Sequence, residues 1–513
     1  GRTIGGVISR VYSFVLQGID AVRCEIEADL TRPGTRKTAI VGLPDAAVKE
    51  SIDRVRTAIL NSGYAFPRGR LTINLAPAHL RKEGPVYDLP IAVAVLKAGE
   101  TIGTSGNGVE AEAFLLAGEL ALDGRVRPIR GVVSLAQLAR DLEMQGVVVA
   151  TASAAEAAVV EGIEVRGVDT LDQVVGMLNG QCTIAPHPGV DLEALIAETR
   201  PEVDFADVRG QETAKRALTI AAAGGHNVLM IGPAGTGKTM MAKALPGVLP
   251  PLSAREALEV TRIYSSVGRL GRGEPLKTGR PVRAPHHTAS APAIIGGGTI
   301  PRPGDVSLAH RGVLFLDEMP EFPRNVLETL RQPLEDGWVT VARRHGSVRF
   351  PARFMLVGAL NPTPRGDMAR DEVSQRAMEK YLAKISGPLI DRIDLHVEVP
   401  AVPYRQLASD RRGTDTDTMR RHVLEARRVQ GRRQGPDRAN AELSGSVLDR
   451  YAALDEAGQV VLAQAMTELG LSARAYDKIR RVARTIADLE QAERVQAYHL
   501  AEAIQYRLLD RLL

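Results

Sequence analysis

Cysteine is nearly missing from this chain of 513 residues: Cys24 and Cys182 are the whole supply, far apart and without metal-ligand spacing. That excludes a disulfide framework and a structural zinc site and fits a reducing compartment, so a cytoplasmic location is expected. Long apolar runs are missing too. No stretch approaches the roughly eighteen residues that a membrane helix needs, so no membrane partner is expected. The first residues lack a basic-then-apolar leader, so no cleaved signal is expected either. Internal repeats and low-complexity tracts are absent. Charge of one sign is scarce: 65 Lys and Arg stand against 61 Asp and Glu, an excess of four. Bulk charge therefore points to no polyanion, and the local clustering of arginines has to be read instead. What remains is ordinary globular material, 44% hydrophobic and 25% charged, which excludes a fibrous or mostly disordered chain. At about 150 residues per domain the length suggests about three domains, each able to bury a core.

Residues 1–180 mix β-branched segments (21–28, 37–41) and short strands (71–75, 147–150) with helical stretches (45–61, 85–97, 152–161), the pattern of an α+β domain. A Pro- and Gly-rich break follows at 183–189. From Asp204 onward the short apolar runs 226–231, 312–316 and 353–357 alternate with loops and helices, as in a parallel α/β sheet. After a second break at 400–403, residues 405–438 carry ten arginines against five acidic residues, and 443–513 reads as helical.

The densest chemistry follows the run 227–231. Gly232, Pro233, Ala234, Gly235, Thr236, Gly237, Lys238 and Thr239 form GxxxxGK[ST] between a strand and a helix that opens with Met240. Glycines there let backbone N–H groups ring a phosphate, and the helix N-terminus adds a favourable dipole. Lys238 reaches β- and γ-phosphates, and the Thr239 hydroxyl ligates magnesium. ATP and Mg2+ are thus the expected cofactors. An acidic partner should end a neighbouring strand, and Asp317 and Glu318 follow the apolar run 313–316. Asp317 is expected to hold magnesium through water and Glu318 to deprotonate the attacking water; two solvated carboxylates are the alternative. Asn361 ends the next apolar run, where its amide can sense the γ-phosphate or merely start an Asn-Pro turn. Arg392 is a candidate arginine finger supplied to a neighbouring subunit, or else a local partner of Asp391 or Asp394. Ser472 reads as a helix N-cap, with Ala475, Ile479, Val482, Ile486 and Leu489 as the apolar stripe. Arg474 then lies in the first helical turn, where the dipole disfavours a cation. A bound phosphate or an acidic side chain has to stand opposite it.

This ordered set is similar to that of the AAA+ ATPases. The stretches 283–288 (Arg-Ala-Pro-His-His-Thr), 295–298 (Ile-Gly-Gly-Gly), 307–318, 330–337 (Leu-Arg-Gln-Pro-Leu-Glu-Asp-Gly) and 482–489 resemble the ComM/YifB-type magnesium-chelatase-like branch. The resemblance implies an α/β P-loop NTPase core with a helical lid, preceded by an α+β Lon-protease-like (ribosomal S5 domain 2-like) domain. The implied boundaries are 1–180 for the Lon-like domain, 181–203 for a linker and 204–403 for the ATPase domain. An Arg-rich connector at 404–442 and a lid with the second sensor at 443–513 complete the chain. The Lon-like match rests on 40–51, 74–84 and 118–129. By that alignment Val86 and Val133 replace the catalytic serine and lysine, and valine can neither attack a carbonyl nor accept a proton, so no peptidase activity is expected. Relatives often carry cysteines after the sensor asparagine; here residues 361–366 read Asn-Pro-Thr-Pro-Arg-Gly, so any metal site those cysteines make is lacking.

The resemblance also implies a helix-2 insert near 278–311 and a hairpin before Asn361. The hairpin is visible in the residues themselves, because 338–342 and 347–350 alternate with period two around Arg343, Arg344 and His345. Such a tip suits a phosphate backbone, with a solvated turn as the alternative. Lys277 and Arg283 are further DNA candidates, and His286 and His287 are either pore residues or structural parts of the insert. The implied function is an ATP-dependent homo-hexameric DNA motor acting on single- or branched double-stranded DNA. Its activity would be helicase or branch migration in recombination, including integration of DNA during natural transformation, alongside recombination proteins. The alternatives are a motor subunit driving magnesium into a porphyrin and a protein-remodelling AAA+ ATPase.

Overall fold

The computed structural model describes residues 7–31, 37–103, 108–271, 273–298, 300–343, 346–361, 381, 384–404 and 413–507. The chain divides into two compact units. The first comprises residues up to Leu195 together with Ala254–Lys277; the second comprises Ile196–Ser253 and everything from Thr278 onward.

In the first unit seven strands form one mixed sheet. Val7–Gln17 pairs antiparallel with Asp20–Thr31, which pairs antiparallel with Arg70–Ala76. Lys37–Val41 lies parallel to Arg70–Ala76 at one edge. Phe114–Leu116, Gly146–Ala150 and Glu164–Val168 continue the sheet in parallel on the other side. Alternation drives the pairing: Cys24, Ile26, Ala28 and Leu30 of Asp20–Thr31 are buried while their neighbours are only partly so. The helix Asp88–Ala98 is apolar nearly all round and lies in the core, as such a composition requires. The helix Ala46–Asn61 starts where the Asp45 carboxylate accepts from the Val48 N–H at 2.7 Å, a cap contributing about 1 kcal/mol. The segment Ala254–Lys277, which sequence alone groups with residues 204–403, packs here. Ser265 donates to Glu156 at 2.5 Å and Arg262 pairs with Asp20 at 2.6 Å.

The second unit is an α/β core with a parallel five-stranded sheet and a helical C-terminal part. From edge to edge the strands are Val282–Arg283, Val313–Leu316, Met355–Leu360, Val228–Ile231 and Leu395–Glu398. Most of their residues are buried, as expected of a sheet covered on both faces. Because all five run the same way, their C-terminal ends share one edge of the sheet, and ligands bind outside that edge in such folds. Val228–Ile231 lies between Met355–Leu360 and Leu395–Glu398, in register so that Ile231 faces Leu360 on one side and Glu398 on the other. The apolar stripe of the helix Ala473–Leu489 joins the same core through Ala475, Ile479, Val482 and Ile486, with Leu489 packed against it. A separate antiparallel ribbon pairs Trp338–Arg343 with Gly346–Pro351, each arm extending to the residues that flank the turn. Its turn residues Arg344 and His345, and the side chain of Arg343, lie outside the described residues.

Candidate functional site: a phosphate loop and a distant arginine pair

Two backbone constraints shape the loop after Ile231. A Cβ at Gly232 would lie 2.0 Å from the Val399 carbonyl oxygen, so only glycine fits where the loop leaves the sheet. Gly237 has φ +90° and turns the chain directly into the helix Lys238–Val248, aiming that helix's free N–H groups at the loop. Lys238 is buried and donates to the Gly232 and Pro233 carbonyls at 2.6 and 2.7 Å and to Asn361 Oδ1 at 3.2 Å. Burial pulls its ammonium below the usual lysine range, while Asp317 and Glu318 push it back up. The Thr239 hydroxyl donates to Asp317 Oδ2 at 2.9 Å. Strand register explains the meeting: Leu316 faces Gly358 and Ile231 faces Leu360, so Asp317, Asn361 and Gly232 all emerge at the same edge. Glu318 follows in a left-handed conformation, φ 49°, with His287 Nδ1 at 3.5 Å from its carboxylate. Thus Lys238, Thr239, Asp317, Glu318 and Asn361 are gathered in one place. A hydroxyl and a carboxylate side by side are oxygen donors suited to a hard cation such as magnesium.

Arg392 and Arg474 lie elsewhere. Asn227, just before Val228–Ile231, donates its side-chain amide to the Arg392 carbonyl at 2.8 Å. A four-residue step along a strand is about 13 Å, so Arg392 sits at the opposite edge of the sheet from its own phosphate loop. The local partners expected from sequence are corrected here: Arg392 pairs with Glu335, Asp391 with Arg474 at 2.7 Å, and Asp394 with His226 at 3.2 Å. Each acid is claimed by a residue distant in sequence, which no local spacing reveals. Burial, then the like charges of Arg474 and Arg331, hold Arg392 below its ordinary value. The whole loop is tied down from beneath. His226 also contacts Thr485 of the Ala473–Leu489 helix at 2.8 Å, and Lys478 of that helix donates to the Ile393 carbonyl at 3.2 Å. Ser472 caps the helix by accepting from the Ala475 N–H, so Arg474 stands in the first turn with Asp391 as the acid opposite.

Two further basic candidates, Arg283 and Lys277, have acidic companions. Arg283 pairs with Asp305 at 2.6 Å. Lys277 belongs to the first unit, pairs with Glu274 at 2.9 Å and lies over the Tyr264 ring. His286 stacks on His287 with ring centroids 4.1 Å apart. Sequence reasoning missed Glu335, His226 and Lys478. A histidine and a lysine embedded in apolar helical or strand patterns were the available signal for two of them.

Comparison with known proteins then narrows the reading. Residues 204–407 match the family model "Magnesium chelatase, subunit ChlI", residues 26–153 match "Subunit ChlI of Mg-chelatase", and residues 413–507 match "Magnesium chelatase, subunit ChlI C-terminal". The competence protein ComM of Haemophilus influenzae is 43% identical over 507 residues, covering 98% of both chains. The YifB protein of Salmonella typhimurium is 43% identical over 506 residues, covering 98% of this chain and 97% of that one. The chain belongs to the ComM/YifB-type magnesium-chelatase-like AAA+ family. The magnesium-chelatase 38 kDa subunit of Rhodobacter capsulatus is a more partial relative, 30% identical over 40% of this chain. In this ComM/YifB-type chain, Val86 lies in the turn Pro85–Tyr87 and accepts from the Gly118 N–H, and Val133 is fully buried in the helix Val132–Asp141. No helix among the described residues is long and apolar enough to cross a membrane.

Proposed function

We propose that this protein hydrolyses ATP as a ring of identical subunits and uses the stroke to move DNA. In this reading the backbone N–H groups of Gly235 to Thr239 cradle the phosphates and Lys238 turns from the loop carbonyls to the β- and γ-phosphates. Asn361 flanks the γ-phosphate, and Glu318 takes a proton from water as its oxygen bonds to the γ-phosphorus. The bridging β–γ bond breaks at the same time, leaving ADP and phosphate. Thr239 and Asp317 would hold the magnesium ion, which neutralises phosphate charge. The observation that carries the reading is the pair of contacts Lys238–Asn361 and Thr239–Asp317, which joins three separate strand ends into one phosphate site.

The ring follows from the arginines. Arg392 is anchored at the sheet edge opposite its own phosphate loop, so it serves a nucleotide held by the next subunit, and Arg474, paired beside it, faces the same neighbour. The ribbon Trp338–Pro351 is the DNA-facing element. The likeness to the competence protein ComM supports a competence-related role, and in that role the motor drives branch migration during recombination of DNA. The first unit acts in assembly or DNA handling and cleaves no peptide, since Val86 and Val133 supply no dyad. The likeness to the 38 kDa chelatase subunit supports a second reading, a motor for metal insertion, but it spans 40% of the chain. Purified protein assayed for ATP hydrolysis with and without a synthetic four-strand junction separates the two. Stimulation with junction rearrangement is expected, and hydrolysis indifferent to every DNA tested would refute the DNA motor. Mixing in Arg392→Ala subunits should depress turnover beyond dilution; strict proportionality would refute the shared site.

A further inference from the structure

Glu335, which holds Arg392, lies in the short helix Arg331–Asp336, and Gly337 alone separates that helix from the ribbon strand Trp338–Arg343. The junction is stiff. The Ala352 N–H donates to the Gly337 carbonyl at 2.8 Å, and Val339, Val341 and Phe350 bury one face of the ribbon. A displacement of Glu335 therefore carries the ribbon base with it. At the other end of the pair, the Arg392 guanidinium is not saturated, because its buried Nε has no hydrogen-bond partner among the described residues. The charges of Arg474 and Arg331 beside it leave it short of negative charge. A γ-phosphate offered by a neighbouring subunit competes directly with Glu335 for this group, since both present oxygen acceptors to one planar donor.

Resting on the reading that Arg392 serves the neighbour's nucleotide, we propose that Glu335 is a positioning residue that couples arginine-finger engagement to movement of the Trp338–Pro351 ribbon. While Glu335 holds Arg392, the ribbon base is latched to the finger loop. When the finger turns to the phosphate, the pair breaks or shifts and the helix Arg331–Asp336 moves with its ribbon. The nucleotide bound by one subunit thereby sets the ribbon of the next.

The chain supplies its own reporter. Trp338 is the single tryptophan, it stands at the ribbon base, 38% exposed, and the Arg349 guanidinium lies 5.2 Å from its ring centroid. In the full-length assembled protein carrying Glu318→Gln to slow hydrolysis, ATP with magnesium should change Trp338 emission. Adding Glu335→Ala should remove most of that change while a fluorescent ATP analogue still binds equally. Glu335→Asp should restore the emission change, and Glu335→Gln serves if the alanine variant does not fold. A full emission change in Glu335→Ala, or none in protein with Glu335 intact, would overturn the coupling. If Arg392→Ala poisons mixed rings while Glu335→Ala keeps its full response, only the coupling fails; if poisoning is absent, the shared-site reading fails first.

Discussion

Lys82 and Lys238 are both buried, both donate to carbonyls of a proline-bearing loop, and both are pulled below the ordinary lysine range by desolvation. Their company differs. Lys238 faces Asp317, Glu318 and the Asn361 amide at a sheet edge where three strands end. Among the described residues, Lys82 donates to the Pro77 carbonyl and lies near the Cys24 thiol, which burial pushes up to about 12. Burial alone therefore marks no phosphate site; a buried cation becomes one when acids and free backbone donors converge on it.

The sharpest break between the two should come from Lys238→Ala. It is expected to weaken ATP binding by about 100-fold or more, about 3 kcal/mol of charge-assisted contact, while Lys82→Met leaves titrations with a fluorescent nucleotide unchanged. Equal losses in both variants would erase the distinction. Next, Glu318→Gln should bind ATP normally yet turn it over about 100-fold more slowly, the scale of a lost general base; single-turnover assays at wild-type speed would remove Glu318 from that role. In the first unit, Val133→Lys should lower the unfolding free energy by about 3 kcal/mol or more, because the new ammonium has no water and no acid placed for it. Urea unfolding that shows no change would mean that the helix Val132–Asp141 opens readily.

The smallest effect concerns pH. Lys82 has a folded value below its ordinary 10.5, so in the interval between the two the unfolded chain binds more protons and stability rises with pH. The penalty is full below the folded value and fades as pH climbs toward 10.5. Lys82→Met should therefore gain on wild type at neutral pH and lose that advantage in alkali, read from paired urea curves.

The phosphate site was legible in sequence because each of its parts is local: a glycine loop before a helix, acids after an apolar run, an asparagine after the next. Strand register then only had to bring those ends together. The first strand, Val7–Gln17, was not legible, because its alternation is disguised. Ser9 and Ser13 face the core, Ser9 donating to the Ala94 carbonyl at 2.6 Å, while Ile8 is 68% exposed. The arginine partners were hidden for a different reason. Glu335 and Asp391 meet Arg392 and Arg474 across dozens of intervening residues, and spacing carries no information about such pairs. The ribbon was readable to within a residue at each arm, since period-two alternation in a short hairpin is a local signal too.

The excursion of Ala254–Lys277 into the first unit means that the backbone passes between the units three times, near residues 195, 253 and 277. Neither can be excised with one cut. A deletion ending at Leu195 would strip the Ala254–Ser266 helix of its packing and leave apolar Ile263 uncovered, so genetic dissection should remove both pieces or neither. A protease nick at one crossing should likewise leave the halves associated under native conditions, still tethered by the other two.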